Sequence, residues 1–384
     1  MAKQKRKVAM PAGIRNKMMA AVSMLLVSSI MMVSSTYAWF TLSTAPEVKN
    51  ISTTVAGNGS LEIALMPTSG NLTEIKAGAG NSSESDGMSI VNANTSWGNI
   101  VQLSDASYGL NNINLLPAVL ETTADGGINL TTPVYGEDGR IAQTSTAKAG
   151  LGTWDADAAK FVVNDQYGVR AIGLNEGTEF STYGYVVDLA VRLNTANGTT
   201  AGKLLLQTDA VQRISGSVNT ETMGGGSYMQ FAAVQPGIDL KGLLDSIRVT
   251  FVQDYGKASG TPTVVGTACL DTTNIAEGKT ELTSTDKIPL KLYTITTSTS
   301  TGEDGKTTTK TTKNESTDNT LIQALTKNAA TQISAIVWLD GAALTNASVA
   351  ASTLQSMAGT LNLQFATDVT LTPATNTALM NPLA

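Results

Sequence analysis

The sequence predicts an all-β protein: an antiparallel β-sandwich with short helices and long loop insertions, preceded by an export segment. Short runs of alternating apolar and polar residues recur along the chain, separated by glycine and Asn-Gly turns. The chain has 384 residues, few of them charged, with one cysteine and no histidine. Because a single thiol cannot form an internal disulfide, we expect burial of a hydrophobic core to stabilise the fold.

Residues 1–38 have the three parts of a secretory signal peptide. Met1–Lys17 is basic, Met18–Tyr37 is apolar with several serines, and small side chains precede a cleavage site after Ala38. We expect cleavage between Ala38 and Trp39, so that the membrane and the signal peptidase are met only transiently. The alternative is a retained membrane anchor, because about twenty apolar residues can span a bilayer.

The charge is distributed unevenly along the chain. Six of the 25 basic residues and none of the 31 acidic ones lie in residues 1–38, so the net charge of −6 becomes −12 once this segment is removed. An acidic body of this kind repels nucleic acid at long range, and we expect no nucleic-acid partner. Together with the leader, this indicates a secreted, cell-surface-associated protein.

The strongest predicted strand is Tyr183–Leu193. Its apolar residues Val187, Leu189, Val191 and Leu193 share one face, while Asp188 and Arg192 share the other. Asn197-Gly198 then leads into Gly202–Leu206, which predicts a β-hairpin.

Further elements follow from the same patterns. Pro117, within the apolar run Leu115–Leu120, predicts an edge or a strand end. The other predicted strands are Leu61–Leu65, Ile247–Val252, Ile288–Ile295, Ile333–Leu339 and Leu361–Phe365. Short helices are expected within Asp239–Asp245, Leu321–Leu325 and Val349–Met357.

Two near-identical segments, Gly136–Arg140 and Gly302–Lys306, predict hairpin turns, and a cation loop is the alternative. Residues 296–320 are rich in Thr, Ser and Lys and contain no large apolar side chain. They predict a flexible arm or a long hairpin tip inserted into the sandwich domain of residues 61–384.

The residue inventory excludes most catalytic machinery. Without histidine there is no Ser-His-Asp triad, no Cys-His dyad and no histidine zinc site, so we expect no enzyme, metal or cofactor. Asp155 and Asp157 after Trp154 are either a carboxylate pair of the glycosidase type or an ordinary solvated turn. Cys269 is expected to be a buried hydrophobe. A Lys–Asn isopeptide crosslink needs a buried acid beside the pair, and the sequence does not place such a trio.

Two N-terminal segments resemble a known family. Ser35–Thr41, followed by a polar linker and Ser60–Leu65, resembles the leader and first strand of the SipW-dependent TasA/camelysin-type proteins of Gram-positive bacteria. Ile336–Gly341 and Leu361–Phe365 resemble the final strands of such exported β-proteins. The resemblance implies a jelly-roll form of the sandwich and assembly into extracellular biofilm-matrix fibres.

The extended N-terminal segment, residues 39–60, is the candidate donor strand for such a fibre. Inserted into the open sheet edge of the next copy, it would give a head-to-tail filament of identical subunits. The candidate assembly residues are Trp39, Phe40, Leu42, Val48, Ile51 and Val55. The alternative is a non-polymerising surface binding module or adhesin for a carbohydrate or host ligand, with loops around Trp97 or Trp154 as its site.

Overall fold

The computed structural model describes parts of the chain between residues 48 and 368, all within the compact unit of residues 44–384. The described residues are 48–55, 61–76, 90–92, 96–98, 100–103, 115–122, 128–131, 133–135, 141–144, 150–155, 160–163, 166–176, 179–193, 201–208, 226–231, 240–256, 261–273, 275, 281–282, 286–301, 307–344 and 359–368.

Strands make up nearly all regular structure in these ranges. The first ten are β1 (Val48–Val55), β2 (Leu61–Leu65), β3 (Ile90–Asn92), β4 (Ile100–Leu103), β5 (Pro117–Thr122), β6 (Ile128–Thr131), β7 (Pro133–Tyr135), β8 (Ile141–Thr144), β9 (Gly150–Asp155) and β10 (Lys160–Val163). The others are β11 (Val169–Glu176), β12 (Glu179–Leu193), β13 (Ala201–Leu206), β14 (Tyr228–Phe231), β15 (Ile247–Gln253), β16 (Thr263–Leu270), β17 (Lys287–Thr301), β18 (Thr307–Glu315), β19 (Thr320–Thr326), β20 (Thr331–Asp340) and β21 (Gly359–Thr367). Helix α1 is Leu240–Leu244, and Leu72–Glu74 forms a 3-10 turn.

The larger layer is built on three neighbouring strands, β12, β20 and β15. One edge of β12 pairs with β20, and the other edge pairs first with β11 and then with β2. β15 continues the layer through β16 and β17 to β18. We call this the first layer. It also includes β9, β10 and the end of β5.

The second layer is built around β21, which pairs with β1 on one edge and with β13 and β14 on the other. β4 and β3 extend it beyond β1, and β19 extends it beyond β13. The start of β17 pairs with β14, while its later residues pair with β16. Hydrogen bonding therefore runs continuously from one layer into the other.

A large hydrophobic core lies between the two layers. Alternate residues of β12 and β20 face alternate residues of β21 and β13 in one cluster of buried side chains. Phe251 of β15 meets Phe365 of β21 edge to face, with ring centroids 6.0 Å apart. These contacts confirm the predicted all-β, sandwich-like architecture, while its jelly-roll form stays a prediction.

The first layer is also covered on its outer face. The β5–β6 hairpin contributes Ala118, Ile128 and Leu130 to a second buried cluster against Val186 and Ile336. A third cluster joins Met66, Ile75 and Trp97 to Ala190. Because both faces of β12 and β20 are buried, these strands are apolar at nearly every position.

Most predicted elements are confirmed. The predicted strands from Leu61–Leu65 to Leu361–Phe365 are present as β2, β15, β17, β20 and β21, and the helix within Asp239–Asp245 is α1. Pro117 is the first residue of β5, where its missing N–H costs no ladder bond. The two similar Gly-Glu-Asp-Gly segments connect β7 to β8 and β17 to β18, which are both antiparallel hairpins.

The predicted hairpin of Tyr183–Leu193 with Gly202–Leu206 is wrong. β13 pairs with β19 and β21 in the second layer, whereas β12 lies in the first. The reason is that both edges of β12 already have partners, β20 on one side and β11 and β2 on the other. The Asn-Gly signal at 197–198 lies outside the described residues.

The predicted helix at Leu321–Leu325 is also wrong, because these residues belong to β19. Leu321, Ile322 and Leu325 are all buried, a spacing that imitates one face of a helix. The register between β13 and β19 shifts at two places, and such bulges let neighbouring residues of a strand both point inward.

Of the two readings of residues 296–320, the hairpin is the observed one, since β17 and β18 pair in continuous register from Tyr293 opposite Glu315 to Thr301 opposite Thr307. The helix expected at 349–357 lies outside the described residues.

Candidate assembly site

Strand β1 lies inside the second layer, between two partners from distant parts of the chain. It runs parallel to β21, with Ile51 beside Leu361 and Val55 beside Phe365. Its other edge is antiparallel to β4, where Ile51 lies opposite Leu103 and Thr53 opposite Val101. The place that β1 occupies, between β4 and β21, is called the strand slot below.

The neighbours that register with alternate residues of β1 are all core residues. Leu361, Leu363 and Phe365 are fully buried, and Val101 and Leu103 are almost so. The positions of Ile51, Thr53 and Val55 therefore lie in line with buried side chains on both flanks. Any strand that fills this slot completes the hydrophobic face of the second layer.

The strand slot contains three of the six candidate assembly residues. Val48 stands opposite Gly359 before a register shift, and Ile51 and Val55 lie at the core-facing positions. Trp39, Phe40 and Leu42 lie outside the described residues, as does the expected cleavage site between Ala38 and Trp39. The donor segment was predicted to insert into a neighbouring copy, and here its C-terminal half pairs within its own chain.

The residues proposed for the alternative functions are differently placed. Trp97 is buried, 4% exposed, with the Arg192 guanidinium 4.2 Å from its ring centroid. It packs with Met66 and Ile75 and is not a surface residue open to a ligand. Trp154 lies opposite Phe161 in the β9–β10 pair, and Asp155 ends β9 opposite Lys160. Asp157 lies outside the described residues.

Sequence reasoning missed a buried ion pair on the outer face of the first layer. Arg170 of β11 binds Asp188 of β12 through two contacts of 2.7 Å, with side chains 1% and 0% exposed. Asp188 also accepts hydrogen bonds from the Ser334 hydroxyl at 2.6 Å and the Gly168 N–H at 3.1 Å. Burial raises the pKa of the Asp188 carboxyl, although Arg170, Ser334 and Gly168 act to lower it.

Two tyrosines and a glycine enclose the Arg170 guanidinium. Its centre lies 5.1 Å from the Tyr167 ring centroid and 5.4 Å from that of Tyr255, in cation–π geometry. Gly256 has a φ of +75°, and a Cβ there would lie 2.8 Å from Arg170 Nη1. The Tyr167 hydroxyl donates to the Gly256 carbonyl at 2.7 Å. The pair is thus sealed by its surroundings and leaves no room for a ligand.

A second buried pair joins β15 to the end of β20. Arg248 Nη2 lies 3.0 Å from Asp340 Oδ2, with side chains 1% and 4% exposed. Beside it, in register with Arg248, lies the fully buried Cys269. Burial raises the pKa of the Cys269 thiol to about 11, so it stays protonated at neutral pH. The prediction that Cys269 is a buried hydrophobe is confirmed.

The half-exposed lysines at β17 and β18 are held as charged ion pairs. Lys291 Nζ lies 3.4 Å from Asp271 and 3.2 Å from Glu315, and Lys313 binds Asp245. Although partial burial acts to lower it, the pKa of Lys291 is raised by Glu315 and Asp271. A protonated amine is not a nucleophile, so this lysine is arranged for an ion pair and not for an isopeptide bond.

Two further searches were limited to the described ranges. Among those residues, no group of three or more Cys, Asp or Glu side chains is arranged to hold a metal ion. Over the same ranges, no helix combines the length and the apolar character needed to cross a membrane.

Comparison with known proteins adds no relative to this picture. No family model, no curated protein and no solved structure matches the chain.

Proposed function

We propose that the chain is a secreted structural subunit that assembles into extracellular or cell-surface filaments by exchange of strand β1. In the filament, β1 of one copy fills the strand slot of the next. The export leader and the resemblance to the SipW-dependent matrix proteins give the proposal its location, and the jelly-roll form of the sandwich belongs to the same proposal.

The observation that carries the proposal is the position of β1 between β4 and β21. β1 is the first strand of the described fold, and only residues 56–60 separate it from β2. All its ladder contacts are made to residues 90 positions or more along the sequence from the connection it would have to open, at β21, or to β4. A neighbouring copy offers the same partners, so exchange keeps every contact.

Exchange of this kind is directional, and that is why it would give a filament. The donor strand and the strand slot are different surfaces of one molecule, so each copy gives one strand and receives one. A head-to-tail contact that does not close continues into a fibre. Asn58-Gly59, a turn signal in the sequence, lies in the connection that has to extend when β1 leaves its own subunit.

The experiment is removal of the donor strand. A chain lacking residues 39–55 is expected to be secreted and to remain monomeric in negative-stain images and in sedimentation. A chain lacking only residues 39–47 keeps β1 and serves as the control for truncation as such. Adding a synthetic peptide of residues 48–55 to the shorter chain is expected to fill the slot and raise its melting temperature. Filaments formed by the chain without residues 39–55 would contradict the proposal.

A further inference from the structure

The outer face of the second layer carries a cluster of polar side chains that the filament proposal does not use. Cross-strand register places Tyr228 opposite Asn362, and Gln230 opposite Lys287. The residues between them, Met229 and Leu361, are buried in the core, so the polar set points away from it. We call this set the amide face; its members are Gln207, Tyr228, Gln230, Lys287, Asn362 and Gln364.

Gln207 joins this face at the end of β13. Leu206 lies opposite Phe365 and both are buried, so the next position along each strand turns outward. Gln207 N–H donates to the Gln364 carbonyl at 2.8 Å, which fixes the two residues side by side. Ser227 binds the Gln364 backbone, with its hydroxyl accepting from the N–H at 2.9 Å. The backbone under the face is therefore held firmly.

Two acceptors on the amide face lack hydrogen-bond partners. Within the described part of the chain, Gln207 Oε1 and Asn362 Oδ1 are shielded from solvent and accept no hydrogen bond. Such orphan atoms are few in native proteins, because each costs the desolvation of a polar group. Both residues remain partly exposed, and rotation of the terminal amide about its soft torsion turns the oxygen outward.

The only charged member of the face is a cation. Lys287 Nζ lies 4.6 Å from the Tyr228 ring centroid, and the described residues include no ion-pair partner for it. An ammonium beside primary amides complements a ligand that has many hydroxyls and a carboxylate. Amides donate to and accept from hydroxyls, and the ammonium pairs with the carboxylate.

We propose that the amide face binds an acidic saccharide chain, with sugar hydroxyls at Gln207 and Asn362 and a carboxylate at Lys287. This site is separate from the strand slot and does not rest on filament formation. In a filament the face would repeat once per subunit, and many weak sites on one fibre would hold a polysaccharide with high avidity.

The test uses the whole secreted chain and two matched probes. These are an oligogalacturonate and the same oligomer fully methyl-esterified, which keeps most hydroxyls and loses the charge. Isothermal titration calorimetry is expected to show binding of the acid and binding at least about tenfold weaker of the ester, since a charged hydrogen bond is lost. No binding of the acid, or equal binding of the two probes, would overturn the proposal.

Substitutions then assign the binding to this face. Asn362→Leu is expected to weaken oligogalacturonate binding at least about tenfold while leaving the melting temperature equal or higher, because an unsatisfied acceptor is removed. Lys287→Gln is expected to equalise the two probes. Asn314→Leu, an exposed amide of β18 in the other layer, is the control and is expected to bind normally. Unchanged binding by Asn362→Leu and Lys287→Gln, or a clear fall in melting temperature with Asn362→Leu, would overturn the assignment.

Discussion

The two layers of the sandwich satisfy their polar groups in different ways. In the first layer, Arg170 and Asp188 are sealed between tyrosines, and Arg248 binds Asp340 out of contact with solvent. In the second layer, two amide oxygens have no partner and one strand comes from the start of the described chain. Only the second layer retains groups that another molecule can complete.

This difference separates stability from function. The first layer is buried on both faces and closed by its own ion pairs, so its substitutions should act on folding. The second layer contains the strand slot and the amide face, so its substitutions should act on assembly and binding. The predictions below test the first half of this division, in order of decreasing effect on the free energy of unfolding.

Replacing Asp188 should have the largest effect. Asp188→Ala leaves the Arg170 guanidinium buried without its counter-charge, and we expect a loss of about 3–5 kcal/mol in the free energy of unfolding. Urea denaturation measures it. The double variant Arg170→Met with Asp188→Leu removes both charges and should cost much less. A loss under about 1 kcal/mol for Asp188→Ala would show that the pair is not the lock of this layer.

A glycine substitution beside the same pair should have an intermediate effect. Gly256→Ala forces a side chain to a φ of +75° and brings its Cβ to 2.8 Å from Arg170 Nη1, so we expect about 1–3 kcal/mol of destabilisation. Gly242 of α1 is the matched control, because a Cβ there meets nothing within 4 Å. Gly242→Ala should stabilise the protein by about 0.5–1 kcal/mol. Equal effects of the two changes would argue against crowding at Arg170.

The half-exposed ion pairs should matter least. Lys291→Gln is expected to cost at most about 1 kcal/mol, and less at high salt. Although burial acts to raise it, the pKa of Asp271 is lowered by Thr273 and Lys291. The contribution of this group is therefore present above its unfolded pKa of about 3.9 and lost as the pH falls through the lower folded value. Comparing Lys291→Gln with the parent chain in urea at neutral and acidic pH checks this, and a larger difference at acidic pH would contradict it.

The sequence was informative where a local pattern decides the structure. The two Gly-Glu-Asp-Gly turns and the strands from β15 to β21 followed from turn chemistry and alternation. It misled where partners are remote, since nothing local to Gly202–Leu206 indicates that both edges of β12 are already taken.

The buried ion pair was missed for a related reason. Asp188 was placed on the polar face of its strand, which assumed that only one face is buried. The usable signal was the near-continuous apolar run of Val186–Val191, typical of a strand covered on both sides. Such a strand leaves an internal charge no route to water, so Asp188 needs a buried cation, and its identity depends on the register with β11.

The exchange of β1 is the central claim, and a disulfide across the strand slot tests it most directly. Ser52 of β1 lies opposite Gln102 of β4, so we would replace both by Cys, oxidise assembled material and separate it on a denaturing gel. Cysteines replacing Glu121 and Asn129, opposite each other in the β5–β6 hairpin, form the control pair and should link only within one chain. Strand exchange predicts a ladder of covalently linked multimers for the Ser52–Gln102 pair and a single band for the control. A single monomer band for both would show that β1 stays in its own subunit.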